Sequence, residues 1–410
     1  MEQPSSSAPL VGVKVLEVAE YGFVPSAASV LADWGADVIR VERPGGDPLR
    51  AHNMSGLVAD TGDYDFQTEQ FNRSKRGVVI DLRTDDGRAV LDRLVAWADV
   101  FITNFLPSAR EKLRLNPDDL FAVNPRLVYA RGHGQGTRGP DADRGGFDSI
   151  SFWARGGIAH MLTPPDGMLV GQRPAFGDGP SGMFLAGSVA AALFRRERTG
   201  KPVVVDVSLL AGAIWTLAPD LHVTSVLGHE PPRADFTKAS PMGPLLGAYR
   251  TRDGRWVSLG MLDPERHWEP TCAALGLEQL LDDPRYDTPA KRSVATVELR
   301  EQFQAVIGQL DVTDFVKRLS ARDCIFSVTA TPLEVLSDPQ VLANGYFMEH
   351  PEHPTARIPT SPAQFDEEPV RLRGRAPRLG QHTAEVLAEV GIDDVALERL
   401  VALGAVAVET

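Results

Sequence analysis

Short β-branched runs alternate with helical periods over the first two hundred residues. Residues 13–19 (VKVLEVA), 36–42 (ADVIRVE), 76–82 (RGVVIDL), 99–105 (DVFITNF), 126–131 (RLVYAR) and 203–209 (VVVDVSL) each read as a strand bounded by turn residues. Between them apolar positions recur at helical spacing. Ala28, Val30, Leu31 and Trp34 follow Pro25, and Val90, Leu91, Leu94 and Val95 follow the N-caps offered by Thr84 and Asp85. A small-residue apolar helix is predicted over 181–196. Strands separated by helices of this length require a parallel sheet with right-handed crossovers. The pattern therefore predicts an α/β protein whose larger domain is a doubly wound, mostly parallel, Rossmann-like sheet.

From about residue 222 the texture changes. Pro231-Pro232, Pro241 to Pro244 and Asp253-Gly254 break the chain into shorter pieces, with a strand at 256–260 and helices rich in Glu, Leu and Arg after it. This predicts a smaller α+β domain over 222–330, inserted between the N-terminal part of the large domain (1–221) and a segment (331–410) that returns to it. That last segment carries amphipathic helices at 383–390 and 393–403.

Composition narrows the class. A chain of 410 residues has room for two or three domains. With 43% hydrophobic and 24% charged residues it is an ordinary globular protein rather than a disordered one. Forty-two Lys+Arg against 55 Asp+Glu leave a net charge of −13, so nucleic acid and anionic membranes are not expected partners and an anionic ligand needs a local basic patch. Two cysteines exclude a disulfide framework. No run of 18 apolar residues is present, and the polar first nine residues lack a signal peptide's basic and apolar regions. A cytoplasmic enzyme is the expectation.

The most conspicuous short motif is misleading. Gly134-Gln-Gly136-Thr-Arg-Gly139 fits G-x-G-x-x-G after a strand, but Pro140, Asp141, Asp143 and Gly145-Gly146 follow, so no helix opens to face a pyrophosphate. A turn is the reading. His350 and His353 lie among prolines without a third ligand, which points to solvated loop histidines and no metal site. His133 either touches a ligand or is a hydrogen-bonded loop histidine.

Two features carry chemistry. Basic residues gather in the first half: Arg43, Arg50, Arg73, Lys75, Arg76, Arg83, Arg110, Lys112 and Arg114. Many such residues are solvated faces. Yet Arg43, Arg83 and the 104–112 stretch follow predicted strands, at the carboxyl edge where doubly wound sheets bind ligands, which suits a phosphate-bearing ligand. The second is Phe176-Gly-Asp-Gly-Pro-Ser-Gly182, ahead of the small-residue helix. Asp178 stands at a helix N-terminus, where dipole and free N–H groups favour its ionised form. It either caps that helix or serves as a carboxylate nucleophile that is already charged.

Taken in order, eight segments resemble the class III CoA-transferases, from about Leu10 to Val390. They are GADVIRVERPGGDPLR (35–50), SKRGVVIDLRTDDGR (74–88), DVFITNFLPSAREKL (99–113), LVYARGHGQGTRGP (127–140), FGDGPSGMFLAG (176–187), GKPVVVDVSLL (200–210), SDPQVLANGYF (337–347) and RLGQHTAEVLAEVGI (378–392). The resemblance implies an interlocked homodimer. It implies an activity moving CoA from an acyl-CoA to a carboxylic acid through an aspartyl-CoA intermediate on Asp178. It implies a CoA site at Arg43, Ile80, Arg83, Asn104, Phe105, Ala109, Lys112 and Leu113. No metal is expected, and no cofactor beyond the CoA thioester itself. Backbone N–H groups around Gly179 and Gly182 would stabilise an oxyanion, with Asp148 in support.

Three positions depart from the family pattern. Gly146-Phe147-Asp148 stands where the racemase branch has G-H-D, and Phe147 cannot move a proton. No glycine-rich run occupies 240–246. Phe152-Trp153-Ala154-Arg155 replaces a Q-A helix. Phe23, Phe147, Phe152, Trp153 and Met183 are therefore expected around an acyl pocket larger than formate or oxalate needs. An acyl-CoA racemase or an intramolecular CoA-transferase on the same fold is the alternative activity.

Overall fold

The structure, a computed structural model, describes residues 8–51, 61–62, 64–165, 167–231 and 243–409. By contact clustering the chain divides into two compact units, one of 1–162, 169–226 and 340–410, the other of 163–168 and 227–339.

In the larger unit six strands lie parallel: β1 (Lys14–Val18), β2 (Asp37–Glu42), β3 (Arg76–Ile80), β4 (Val100–Thr103), β5 (Val128–His133) and β6 (Val203–Ser208). Their order is β3-β2-β1-β4-β5-β6, with a two-residue strand, Val406–Ala407, antiparallel on the β3 edge. All six predicted strands are present. The edge strand is an addition, too short to show a period.

Both faces of the sheet are covered, so side chains on either side of the pleat are apolar. Val15, Val38, Val100 and Val128 point to the face packed by α1 (Phe23–Asp33) and α2 (Asp178–Thr199). Leu16, Ile39, Phe101 and Tyr129 point to the other, packed by Val90, Leu91, Leu94 and Val95 of the helix Asp85–Trp97. Thr84 caps that helix by accepting from Gly87 N–H at 3.0 Å. α2 begins three residues before the predicted start and ends on Gly200 in the left-handed conformation. It crosses α1 where Gly182 meets Ser26, and a Cβ at Gly182 would overlap the Ser26 Oγ.

The smaller unit holds an antiparallel sheet of Leu246–Arg250, Trp256–Gly260 and Phe326–Val328, with Tyr249, Trp268, Phe303, Phe315 and Leu319 in its core. Its limits differ from the expected 222–330. Residues 222–226 continue the helix Ala218–Leu227, and 331–339 stay with the smaller unit, where Glu334 pairs with Arg255 at 2.7 Å. Cys272 and Cys324 are buried free thiols. Among the described residues no single helix is long and apolar enough to cross a membrane.

Candidate active site

The strand order reverses between β1 and β4, and in an open α/β sheet the crevice beyond the carboxyl ends at such a point is where ligands bind. Asn104, just past β4, bridges the reversal. Its amide donates to Glu20 O at 2.6 Å and accepts from Glu20 N–H at 3.1 Å. There the carboxyl ends of β1 to β5 open on a cavity of about 710 Å³.

Asp178 is in its wall. The N-cap of α2 is Gly177, and no side chain caps the helix, which removes the capping alternative for Asp178. Its carboxylate lies instead against Gly22, the N-cap of α1. A Cβ at Gly22 would come within 2.5 Å of Asp178 Oδ2. The first N–H groups of a helix have no intrahelical partner, so the carboxylate faces the donor-rich end of α1 as well as beginning α2. Burial nevertheless pushes the Asp178 carboxyl up to about 8, and the negative charge of Asp148 adds to the rise. The expected ready-made anion is thus corrected: in the free protein much of this carboxyl is neutral at pH 7.

The expected oxyanion donors are corrected too. Gly179 N–H donates to Ala175 O at 3.2 Å, Pro180 has none, and Ser181 N–H donates to Gly177 O at 3.1 Å. Gly182 is buried at the α1–α2 crossing, a packing glycine. The helix start that the Asp178 carboxylate faces is that of α1. Asp148 supports the site from behind. It accepts from Gln172 Nε2 at 2.7 Å and Gly177 N–H at 3.4 Å, fixing the turn that enters α2.

Arg43, Ile80, Arg83, Asn104, Phe105, Ala109 and Leu113 all line the cavity, and so do Phe23 and Phe147. Lys112 does not; its side chain is on the surface. Phe152 and Trp153 are core residues rather than pocket walls. Phe152 lies under Gly177, and the Trp153 indole donates to Val170 O at 3.0 Å. Met183 packs against the same core. Phe147 stands edge-on to Tyr21 with ring centroids 5.2 Å apart.

The basic cluster separates into two groups. Arg73 pairs with Asp33, Arg76 with Asp37 and Glu389, Arg50 with Glu42, and Lys75 with Glu17, while Arg110 donates to Phe105 O. Those are structural. Arg43 and Arg83 line the cavity with side chains 60% and 78% exposed; Arg43 pairs with Glu20 and donates to Gly46 O at 3.1 Å, and Arg83 pairs with Asp81.

Sequence reading missed the buried charges behind the wall. Arg40 pairs with Glu17 at 3.0 Å and with Asp47, and Lys75 reaches Glu17 at 2.6 Å and Pro25 O at 2.9 Å. Burial pushes the Lys75 ammonium down to about 7, against the pull of Glu17. Such networks gain little net stability after desolvation. Their effect here is geometric. Asp47 accepts from Tyr21 N–H at 3.1 Å, holding Tyr21 at φ 64, and so setting Gly22 beside Asp178. The signal available in the sequence was Tyr-Gly immediately after a strand and before a helix.

Gly136 and Gly139 take φ values of 107 and 91 in a turn, as the missing helix implied. His350 is buried, not solvated, with Nε2 3.4 Å from Glu69. Of the 240–246 stretch, residues 240–242 lie outside the described residues. No cluster of metal-ligating side chains occurs among the described residues.

Comparison with known proteins bears on the family and the fold. The family model described as CoA-transferase family III matches residues 10–383. The (R)-2-hydroxy-4-methylpentanoate CoA-transferase of Clostridioides difficile is 29% identical, over 94% of this chain and 96% of its own. The cinnamoyl-CoA:phenyllactate CoA-transferase of Clostridium sporogenes is 31% identical, over 95% of both. A crystal structure of a CAIB/BAIF family protein from Brucella suis superposes with a TM-score of 0.81 at 29% identity, over 94% of this chain and all of that one.

Proposed function

This chain belongs to CoA-transferase family III, and from that premise we propose that it moves CoA from an acyl-CoA donor to a carboxylic acid through a covalent aspartyl-CoA on Asp178. The observation that carries the reading is the position of one carboxyl. Asp178 is in the wall of the strand-end cavity, against the N-cap of α1, while the two exposed arginines of the rim, Arg43 and Arg83, suit the phosphates of CoA.

The deprotonated Asp178 attacks the thioester carbonyl, forming an aspartyl–acyl anhydride and releasing CoA thiolate. The thiolate attacks the aspartyl carbonyl, giving the aspartyl-CoA thioester and the donor's carboxylate. An acceptor carboxylate attacks that thioester, forming a new anhydride and regenerating thiolate. The thiolate then takes the acceptor's acyl group and frees Asp178. Exchange between two weak nucleophiles is divided into steps that each use one activated group. Negative charge develops on the carbonyl oxygen at each addition, and the N-terminal end of α1, against which the Asp178 carboxyl lies, favours it.

The relatives named for 2-hydroxy-4-methylpentanoate and phenyllactate point to acids with an apolar body, which suits the walls formed by Phe23, Tyr21, Phe147 and Leu209. The working form is a homodimer, as the family resemblance implies. Incubation with acyl-CoA, acid quench and peptide mass spectrometry should find CoA attached to the peptide that carries Asp178, and no adduct in Asp178→Ala. A wild-type protein that turns over acyl-CoA without such an adduct overturns the covalent route.

A further inference from the structure

His133 ends β5, and nothing in the reaction above uses it. Its side chain is nearly inaccessible from bulk solvent, at 3%, yet the residue lines the cavity beside Gly132, Gly134, Gly146, Phe147 and Leu209. That places it at the β5 end of the cavity, whereas the cationic rim belongs to β2 and β3. The CoA nucleotide, drawn to Arg43 and Arg83, enters from the β2–β3 end. The β5 end is left for the acid being transferred.

A buried imidazole without a hydrogen-bond partner is costly unless something satisfies it when the site is filled. The polar group that His133 faces is Asp206. Nε2 is buried and points towards Asp206 Oδ1 at 3.6 Å, too far for a good bond. Asp206 is itself anchored by Arg131 at 2.6 Å. Burial would raise the Asp206 carboxyl, but His133 and Arg131 outweigh it and hold it well below the usual carboxylate range. A carboxylate facing Nε2 favours the tautomer with the proton there, leaving the Nδ1 lone pair for another partner.

The rest of that end decides what the partner is. Its lining side chains are Phe23, Phe147 and Leu209, with four glycines, Gly132, Gly134, Gly145 and Gly146. Among the described lining residues the only permanent cations are Arg43 and Arg83, at the other end. A second carboxylate on the substrate would therefore lie close to Asp178 and Asp148 with no counter-charge. A neutral hydroxyl suits the site better, since it can donate to the Nδ1 lone pair and can also accept if the ring is protonated.

We propose that His133 is a specificity-determining residue that hydrogen-bonds a hydroxyl on the transferred acid, making hydroxy-substituted monocarboxylic acids with an apolar body the preferred substrate class. The inference rests on the CoA-transferase reading. The discrimination follows the general rule that a site built to bond a hydroxyl rejects the analogue lacking it, because its own polar group is then left unpaired.

The test uses matched pairs of acyl-CoA donors, 2-hydroxy-4-methylpentanoyl-CoA with 4-methylpentanoyl-CoA and 3-phenyllactoyl-CoA with 3-phenylpropanoyl-CoA, and reads the hydroxy-to-deoxy ratio of kcat/KM. The wild type should prefer the hydroxy member by about tenfold or more. His133→Ala should bring the ratio near one, and His133→Asn, which keeps a polar group, should restore part of it. A ratio is insensitive to partial misfolding, because both substrates report on the same active fraction. A wild-type ratio near one, or a ratio that His133→Ala leaves intact, overturns the proposal. Failure of every thioester to transfer CoA or label Asp178 would instead overturn the activity on which it rests.

Discussion

At the scale of single residues, the protonation of Asp178 decides most. A helix N-terminus favours an anion by about 0.3–1 kcal/mol, less than one pKa unit even at the upper figure. Burial and the Asp148 charge move this carboxyl from 3.8 to about 8, so desolvation wins over the dipole. Because the raised pKa keeps the proton on below about 8 and only the anion attacks, kcat/KM for acyl-CoA should rise with pH and level off above about 8. Asp148→Asn removes the like charge but keeps an acceptor for Gly177 N–H. The rising limb should then move to lower pH, and a limb that stays in place or moves upward would contradict the proposed coupling. None of this was legible beforehand, since a sequence shows charge type but not surroundings. Arg43 and Arg83 were legible as residues of the strand-end cavity because they follow strands. Arg73, Lys75 and Arg76 carry the same sign, and only the fold reveals Asp33, Glu17 and Asp37 as their partners. Phe152 and Trp153 failed as pocket residues for the same reason. Aromatic side chains near a motif pack under it as readily as they face its ligand, and here both sit in the core.

Among the elements, the long runs were the legible ones. Five strands of four to six residues are almost wholly buried, the sixth, β6, is a half-exposed edge, and all six announce themselves by runs rich in β-branched residues. Val406–Ala407 has no run to read and depends entirely on its pairing with β3. The start of α2 was misplaced because its first turn, Asp-Gly-Pro-Ser, has poor intrinsic helix propensity and is held by Asp148 and the crossing with α1. That crossing yields a test using two glycines of one helix. At Gly182 an added Cβ would overlap Ser26 Oγ and come within 3.1 Å of Ala27 N and Phe23 O, so Gly182→Ala must push α1 away. A loss of about 1–3 kcal/mol in chemical denaturation is expected, with partial recovery when Ser26→Ala is added. At Gly187 an added Cβ meets nothing within 4 Å, and Gly187→Ala should stabilise by about 0.5–1 kcal/mol through helix propensity. Equal effects at the two positions would mean that the helices are not packed as described.

For the molecule as a whole, the question is what covers its apolar surface. The helices Leu209–Thr216 and Ala218–Leu227 follow the exposed edge strand β6, and the second of them buries no residue. Trp215 is 72% and Val226 75% exposed, with Ile214, Leu221 and Val223 near them. Exposed apolar side chains gathered on one helix pair mark an interface, and the homodimer proposed above would supply its occupant. Two chains of net charge −13 repel each other, so association has to come from apolar burial rather than from charge pairing. Salt screens the repulsion over about 8 Å at 0.15 M and leaves the apolar term intact. Light scattering should therefore show a dimer that tightens as salt rises, and Trp215→Glu combined with Val226→Glu should yield monomers. A dimer loosened by salt would mean that ion pairs hold the interface. A wild-type monomer at micromolar concentration would mean that something other than a second copy covers this face.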